Sequence, residues 1–438
     1  MNKRRLVHNL RLGTALLFVA FEFTNLVPYL AEWSSRGSQN SRYPLQFAGY
    51  AICLFVLVFD RRSLWRLFHK RITLWAAGFL GLLSWAMIVR MFNSPVDVSD
   101  YLLFRAFGLQ VNNIGFLLTC LVILDDAVVL KYTKQAIVFA TLLSIGLVVC
   151  DMLVPSLGFT DISGRGAGLY VQPNSAGMAI VFGCLIGIKT IPRGWLKDLF
   201  VIACVVGVVA TFSRQAALAL AVILLAAGLG RALSLRRLLV VGAAIVTLFA
   251  AKNLASTLAD TDIFTNDTKA RLSLDWADSS TLDRVRLAYK TLERFEDAPI
   301  LGQGFGTTSY WADEPSHNAY LNFMADCGIA GILVIPGLVL SVRRDTWDLN
   351  AFSIMFLAWG LVSHLVLTEL FALITIAVLV DEQGTVNEER QRSQTEGTWF
   401  GPYDADGIHS LGRFEPDHVY VNGEGAVGVA VGGARGRD

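Results

Sequence analysis

From Ala351 to Val380 the chain reads AFSIMFLAWGLVSHLVLTELFALITIAVLV, and nearly every residue is apolar. A helix needs about 20 such residues to cross the hydrocarbon of a bilayer. This run is about 30 residues long, too long for one upright span. Ser363-His364 and Thr368-Glu369 interrupt it, so it reads either as one tilted helix or as two short ones. Comparable runs recur at 12–31, 45–59, 72–91, 101–124, 136–154, 173–190, 196–212, 214–230, 237–255 and 318–341. The reading is an all-α, polytopic integral membrane protein with about 11–12 transmembrane helices.

Composition agrees. The 438 residues are 54% hydrophobic and 17% charged, and the mean hydropathy is +0.51. Soluble domains carry more charge and less apolar content. The start, MNKRRLVHNLRLGTALLFVAF, resembles a signal peptide but lacks a convincing small-residue cleavage site, so it reads as an uncleaved first span. The six cysteines stand singly, nearly all within apolar runs, which points to neither a metal site nor a disulfide framework. No HExxH or GxSxG motif supports a membrane protease.

The net charge of +1 decides nothing, because in such a chain the distribution of Lys and Arg carries the information. MNKRR, DRRSLWRLFHKR, KYTK, KTIPRGWLK, RALSLRR and SVRRD alternate with connections poor in basic residues. The basic set belongs on the cytoplasmic side. Four regions follow: 1–255, an N-terminal bundle of about nine spans; 256–316, one large outer loop; 317–380, the C-terminal spans; and 381–438, a polar, Gly-rich tail read as disordered.

The outer loop carries the candidate chemistry. STLDRVRLAYKTLERFED, from Ser280 to Asp297, reads as a helix with a capping box at Ser280 and Asp283. Leu282, Val285, Tyr289 and Leu292 form its apolar stripe. Arg284 and Arg286 point roughly 160° apart on such a helix, so both cannot face one site. Taken alone, either arginine is equally a solvated surface residue. GQGFG follows, with Gly302, Gly304 and Gly306. No strand precedes it and no helix opens from it, so it is a tight turn allowing close backbone approach, not a dinucleotide fingerprint. In PSHNAYL, Ser316 suits an N-cap, which puts His317 on the first turn of the next span with Asn318 beside it. His317 is either an interfacial histidine or a general base. FSRQAAL supplies a very tight turn at Ser213-Arg214 on the same outer side, where Arg214 has no acidic neighbour in sequence and becomes a candidate for an anionic ligand.

FSRQAAL between two spans, DRVRLAYKTLERFEDAPILGQGFG, and SHNAYLNFMADCGIAG opening the next span occur in this order. From about Gly168 to about Gly337 the chain resembles the O-antigen ligase and polysaccharide polymerase superfamily. The resemblance implies a metal-independent membrane glycosyltransferase of cell-surface polysaccharide biosynthesis, without cofactor, in the bacterial inner membrane with its site facing the periplasm. The implied donor is a glycan on undecaprenyl diphosphate, and the acceptor another glycan or a lipid A core; no nucleic acid is expected. It also implies that Arg214 and Arg284 bind the diphosphate and that His317 activates the acceptor hydroxyl, with Ser213, Asn318 and Gly304 in support. The aromatic residue often found four positions after the second arginine is replaced here by Ala288, with Tyr289 next to it. Asp313 and Glu314, just before His317, are the one place where carboxylates could gather a metal. A transporter or flippase of a lipid-linked glycan is the rival reading. Glu22, Arg105, Asp151, His364 and Glu369 are its candidate intramembrane charges, but no internal repeat accompanies them.

The topology predicts that a cysteine placed at Ser309 reacts with an impermeant reagent added outside and not with one added from the cytoplasm. Cytoplasmic labelling would overturn the placement of the whole loop.

Overall fold

The computed structural model describes residues 3–35, 43–93, 100–154, 159, 165–192, 194–234, 242, 279–307, 316–342 and 346–395. Among them there is no strand, and the fold is all-α. The helices are α1 (Lys3–Leu17), α2 (Leu26–Ser35), α3 (Tyr43–Phe59), α4 (Arg61–His69), α5 (Arg71–Phe92), α6 (Asp100–Ile123), α7 (Ala127–Leu153), α8 (Pro173–Thr190), α9 (Trp195–Thr211) and α10 (Arg214–Leu229). Beyond them come α11 (Ser279–Asp297), α12 (Ala319–Cys327), α13 (Val334–Val342), α14 (Trp347–Val362) and α15 (Leu370–Thr395). A 3₁₀ stretch, Gly328–Leu333, joins α12 to α13 into one rod.

Five stretches are long and apolar enough to cross a membrane unaided: Lys3–Phe23, Arg71–Phe92, Leu103–Ile123, Ala127–Leu153 and Ala319–Val342. A sixth arises if Pro44–Phe59 and Arg61–His69, bent by 106° at Asp60, count as one. The higher number expected from sequence depends on shorter helices such as α10 and α14. It also depends on 237–255, most of which lies outside the described residues together with the loop up to 278. The first span differs from expectation as well. It begins at Lys3, loosens into a π-helical turn at Phe18–Phe23 and stops at Asn25, whose φ is 60°.

Helix α8 is the axis of the bundle, buried from Ser175 to Ile188 on every side. In lipid, helices gain little from hiding apolar surface from one another, so close packing and hydrogen bonds must hold them. Small residues serve that end. A Cβ at Gly183 would strike the Thr141 side chain of α7, and one at Gly177 would meet Ala216 Cβ of α10 at 2.6 Å.

The two ends of the bundle differ in chemistry. At one end Lys70, Lys134 and Lys189 converge on the carboxylates of α15. Lys70 pairs with Asp381, Lys134 reaches Glu382 at 3.0 Å, and Lys189 bridges Glu382 and Asp348 at 2.7 Å each. At the other end lie the 165–172 segment, the Ser213 turn and the loops around His317. The long apolar run resolves into two helices, with α14 ending at Val362 and α15 starting at Leu370. The connection 363–369 therefore sits at the histidine end and Asp381 at the lysine end. Helix α15 also continues to Thr395, so 381–395 is helical where the sequence reading began a disordered tail; 396–438 lies outside the described residues.

Replacing Glu382 by Gln removes the negative charge that Lys134 and Lys189 share. The expected loss is about 1.5–3 kcal/mol of stability, measurable as a lower melting temperature in detergent.

Candidate functional site

Several connections meet at the histidine end. In the α9–α10 turn, Phe212 takes a left-handed conformation (φ 49°), and Ser213 then caps α10 by accepting from Ala216 N (3.4 Å). This makes Arg214 the first residue of α10. A helix N-terminus already carries partial positive charge and favours anions, so the half-buried Arg214 guanidinium adds to a field of the same sign.

A residue that the sequence reading passed over locks this turn. Arg165 is buried; its Nε donates to Thr211 O (3.0 Å) and its guanidinium also to Asn174 Oδ1 (3.1 Å). Next to Asn174, Ser175 Oγ donates to Glu369 Oε1 (2.6 Å) in the 363–369 connection. A continuous polar chain thus joins the Ser213 turn, the start of α8 and the turn holding His364. Asp151, a candidate charge for transport, is occupied structurally: it accepts from Ala167 N (2.7 Å) and Gly168 N (3.1 Å).

Helix α11 forms where the sequence predicts it, but with the opposite face inward. Leu287 and Thr291 are buried and Arg284 is half-buried on the same side, whereas Leu282, Val285 and Tyr289 of the expected apolar stripe are exposed. Arg286 is exposed too. Helix α11 packs along α12 with this face. Periodicity identified the helix and misjudged its orientation. The separation of Arg284 from Arg286 stands, and Arg284 is the one turned toward the protein.

The close approach expected of GQGFG is real, and its target is the protein itself. Gly304 N donates to Asp326 O (3.1 Å), Phe305 N to Ala86 O (2.9 Å), and the amides of Gly306 and Thr307 to the Asp326 carboxylate (3.0 Å each). Gly304 has φ 97°, and a Cβ there would lie 2.6 Å from backbone atoms of Arg90. Successive N–H groups of this kind form an anion cradle, but here a carboxylate of the same chain fills it. Gly304 therefore docks the α11 loop onto α5 and α12.

At PSHNAYL the cap differs from expectation. Asn318, not Ser316, caps α12, its Oδ1 accepting from Leu321 N (3.1 Å), while Ser316 Oγ accepts from Asn318 N (3.1 Å). The Asn side chain reaches the third residue on with the usual geometry, and that displaces His317 to the residue before the helix. Its half-buried ring lies 5.4 Å, centre to centre, from that of His364. No local pattern hinted at this pairing, because 46 residues and helices α12, α13 and α14 lie between the two histidines. Burial, reinforced by His317, pushes His364 down from 6.5 to about 4, so it is neutral at physiological pH.

Among the described residues no three His, Cys, Asp or Glu side chains gather as a metal site. Asp313 and Glu314 lie outside those residues. The fold and site are those of a multi-pass helical membrane protein with a polar centre at one end of the bundle. Residues 199–335 match the O-antigen ligase family model, which supports the O-antigen ligase and polysaccharide polymerase superfamily. That segment holds Arg214, Arg284, the GQGFG loop and His317; His364 lies beyond it. No curated protein matches the chain.

His364 makes stability depend on pH. Its folded pKa is below the unfolded one, so the unfolded chain binds more protons between them. Stability should be full above pH 6.5 and fall as pH drops from 6.5 toward about 4. Melting temperatures measured across that range should decline in the wild type and decline less in His364→Phe.

Proposed function

We propose that this chain is a glycosyltransferase of cell-surface polysaccharide biosynthesis, acting at the outer face of the bacterial inner membrane. The observation that carries the reading is the placement, at one end of the bundle and within the segment matching the O-antigen ligase model, of Arg214 at the start of α10 and His317 ahead of α12. The donor is a glycan on undecaprenyl diphosphate, and the acceptor is a hydroxyl of another glycan or of a lipid A core.

In this reaction the acceptor oxygen attacks the anomeric carbon and a new C–O bond forms. The bond from that carbon to the phosphate oxygen breaks, and undecaprenyl diphosphate leaves with the bonding electrons. His317 takes the acceptor proton, a role that typically contributes about 10²–10⁴-fold. Arg214 and Arg284 hold the diphosphate and stabilise the charge growing on it; guanidinium groups suit this because they bind phosphate oxygens in a bidentate fork. At a low-dielectric membrane surface such fixed charges act more strongly than in water. In this scheme the two arginines do what a divalent cation does in metal-dependent transferases, and the reaction needs no metal. The alternation of basic connections supports the outward orientation, since the lysine end takes the cytoplasmic side.

Purified His317→Ala should lose transfer while still binding the lipid-linked donor. Arg214→Ala and Arg284→Ala should each weaken donor binding. Transfer at the wild-type rate by His317→Ala would remove the general base. In a deletion strain, single repeat units accumulating on undecaprenyl diphosphate would identify a polymerase, and full-length chains a ligase. A labelled lipid-linked glycan that fails to cross the membrane, with neither species accumulating, would favour transport instead.

A further inference from the structure

The surroundings of His317 hold more hydrogen-bonding capacity than the fold uses. His364 Nδ1 is buried with no hydrogen-bond partner among the described residues. Asn322, in the first turns of α12, donates its amide to Ser316 O (2.9 Å), which fixes the side chain against the residue preceding His317. Its Oδ1 is likewise buried and unbonded among the described residues. Folded proteins leave few buried polar atoms unsatisfied, because each forfeits its bond to water. One belongs to the ring beside His317 and the other to the side chain bonded to Ser316, and the two point to a partner that arrives from outside.

The chemistry of the pair narrows what that partner is. Asn322 Oδ1 is purely an acceptor, and a neutral imidazole offers one acceptor nitrogen and one donor. Neither group is charged, in contrast to the guanidinium of Arg214 at the α10 turn. An anion gains nothing here that it would not gain more strongly from an arginine. A sugar ring, with hydroxyls on adjacent carbons, meets both atoms with O–H donors while a neighbouring hydroxyl faces His317. We infer that His364 and Asn322 form an acceptor-sugar subsite, binding hydroxyls beside the one that His317 deprotonates. The inference rests on the transferase reading above and adds the residues that recognise the acceptor.

His364→Phe keeps the ring and its contact with His317 but removes both nitrogens, so a purely structural role would survive it. Asn322→Leu removes the second acceptor. The test uses the full chain in nanodiscs. Glucose, galactose, rhamnose and N-acetylglucosamine are screened by saturation-transfer NMR, and undecaprenyl diphosphate is titrated separately. At least one sugar should bind the wild type and weaken about three- to tenfold in each variant, while affinity for undecaprenyl diphosphate stays within about twofold. The subsite is overturned if no sugar binds the wild type, if sugar binding survives both substitutions, or if both ligands weaken in parallel. Should undecaprenyl diphosphate fail to bind the wild type while sugar binding still depends on His364, the donor reading falls and the subsite stands.

Discussion

Asp381 and Glu382 take Lys70, Lys134 and Lys189 at one end of the bundle, and this cluster sets the register of α15. Charges at the margin of a low-dielectric slab are costly unless paired, so a one-turn slide of α15 would part Asp381 from Lys70 and Glu382 from Lys134 and Lys189. With Asp381 and Glu382 held there, its start at Leu370 is held too. The 363–369 connection is thereby held at the opposite end, where Glu369 receives Ser175 and His364 meets His317. A contact far from the candidate chemistry thus fixes which side chains can take part in it.

The histidine end is built from loops that are tied to one another before any substrate is considered. Arg165 fastens the Ser213 turn to the start of α8, and Asp326 fills the cradle of the GQGFG loop. Each tie uses a charged or polar group that could have been mistaken for a ligand-binding element. Beside these ties stand Arg214 at a helix start, Arg284 on the inward face of α11, and His317 with His364. For the proposed transfer, preorganisation of this kind lets fixed charges act without rearranging.

Much of this was legible beforehand. The ends of α5, α6, α8, α9 and α10 fall within a residue or two of the apolar runs, because the bilayer demands runs of that length and the backbone must bond within each helix. The tight turn at Ser213-Arg214 also lies where the sequence places it. The orientation of α11 was not legible: its exposed Leu282, Val285 and Tyr289 obey helical spacing as well as its buried face does. Nor was the cap of α12, where Ser316 and Asn318 compete and the outcome turns on which oxygen reaches which amide.

The sequence by itself determined that this is a helical membrane protein and where most of its helices lie, while the family resemblance implied Arg214, Arg284 and His317 as candidate functional residues. The first two follow from apolar run length and charge alternation, which are local in the chain. Only the tertiary structure decided that the last apolar run folds back as two helices, that GQGFG embraces Asp326, and that His364 joins His317. These depend on contacts between segments far apart in sequence, and no local pattern encodes which distant group will fill a cradle or face a ring.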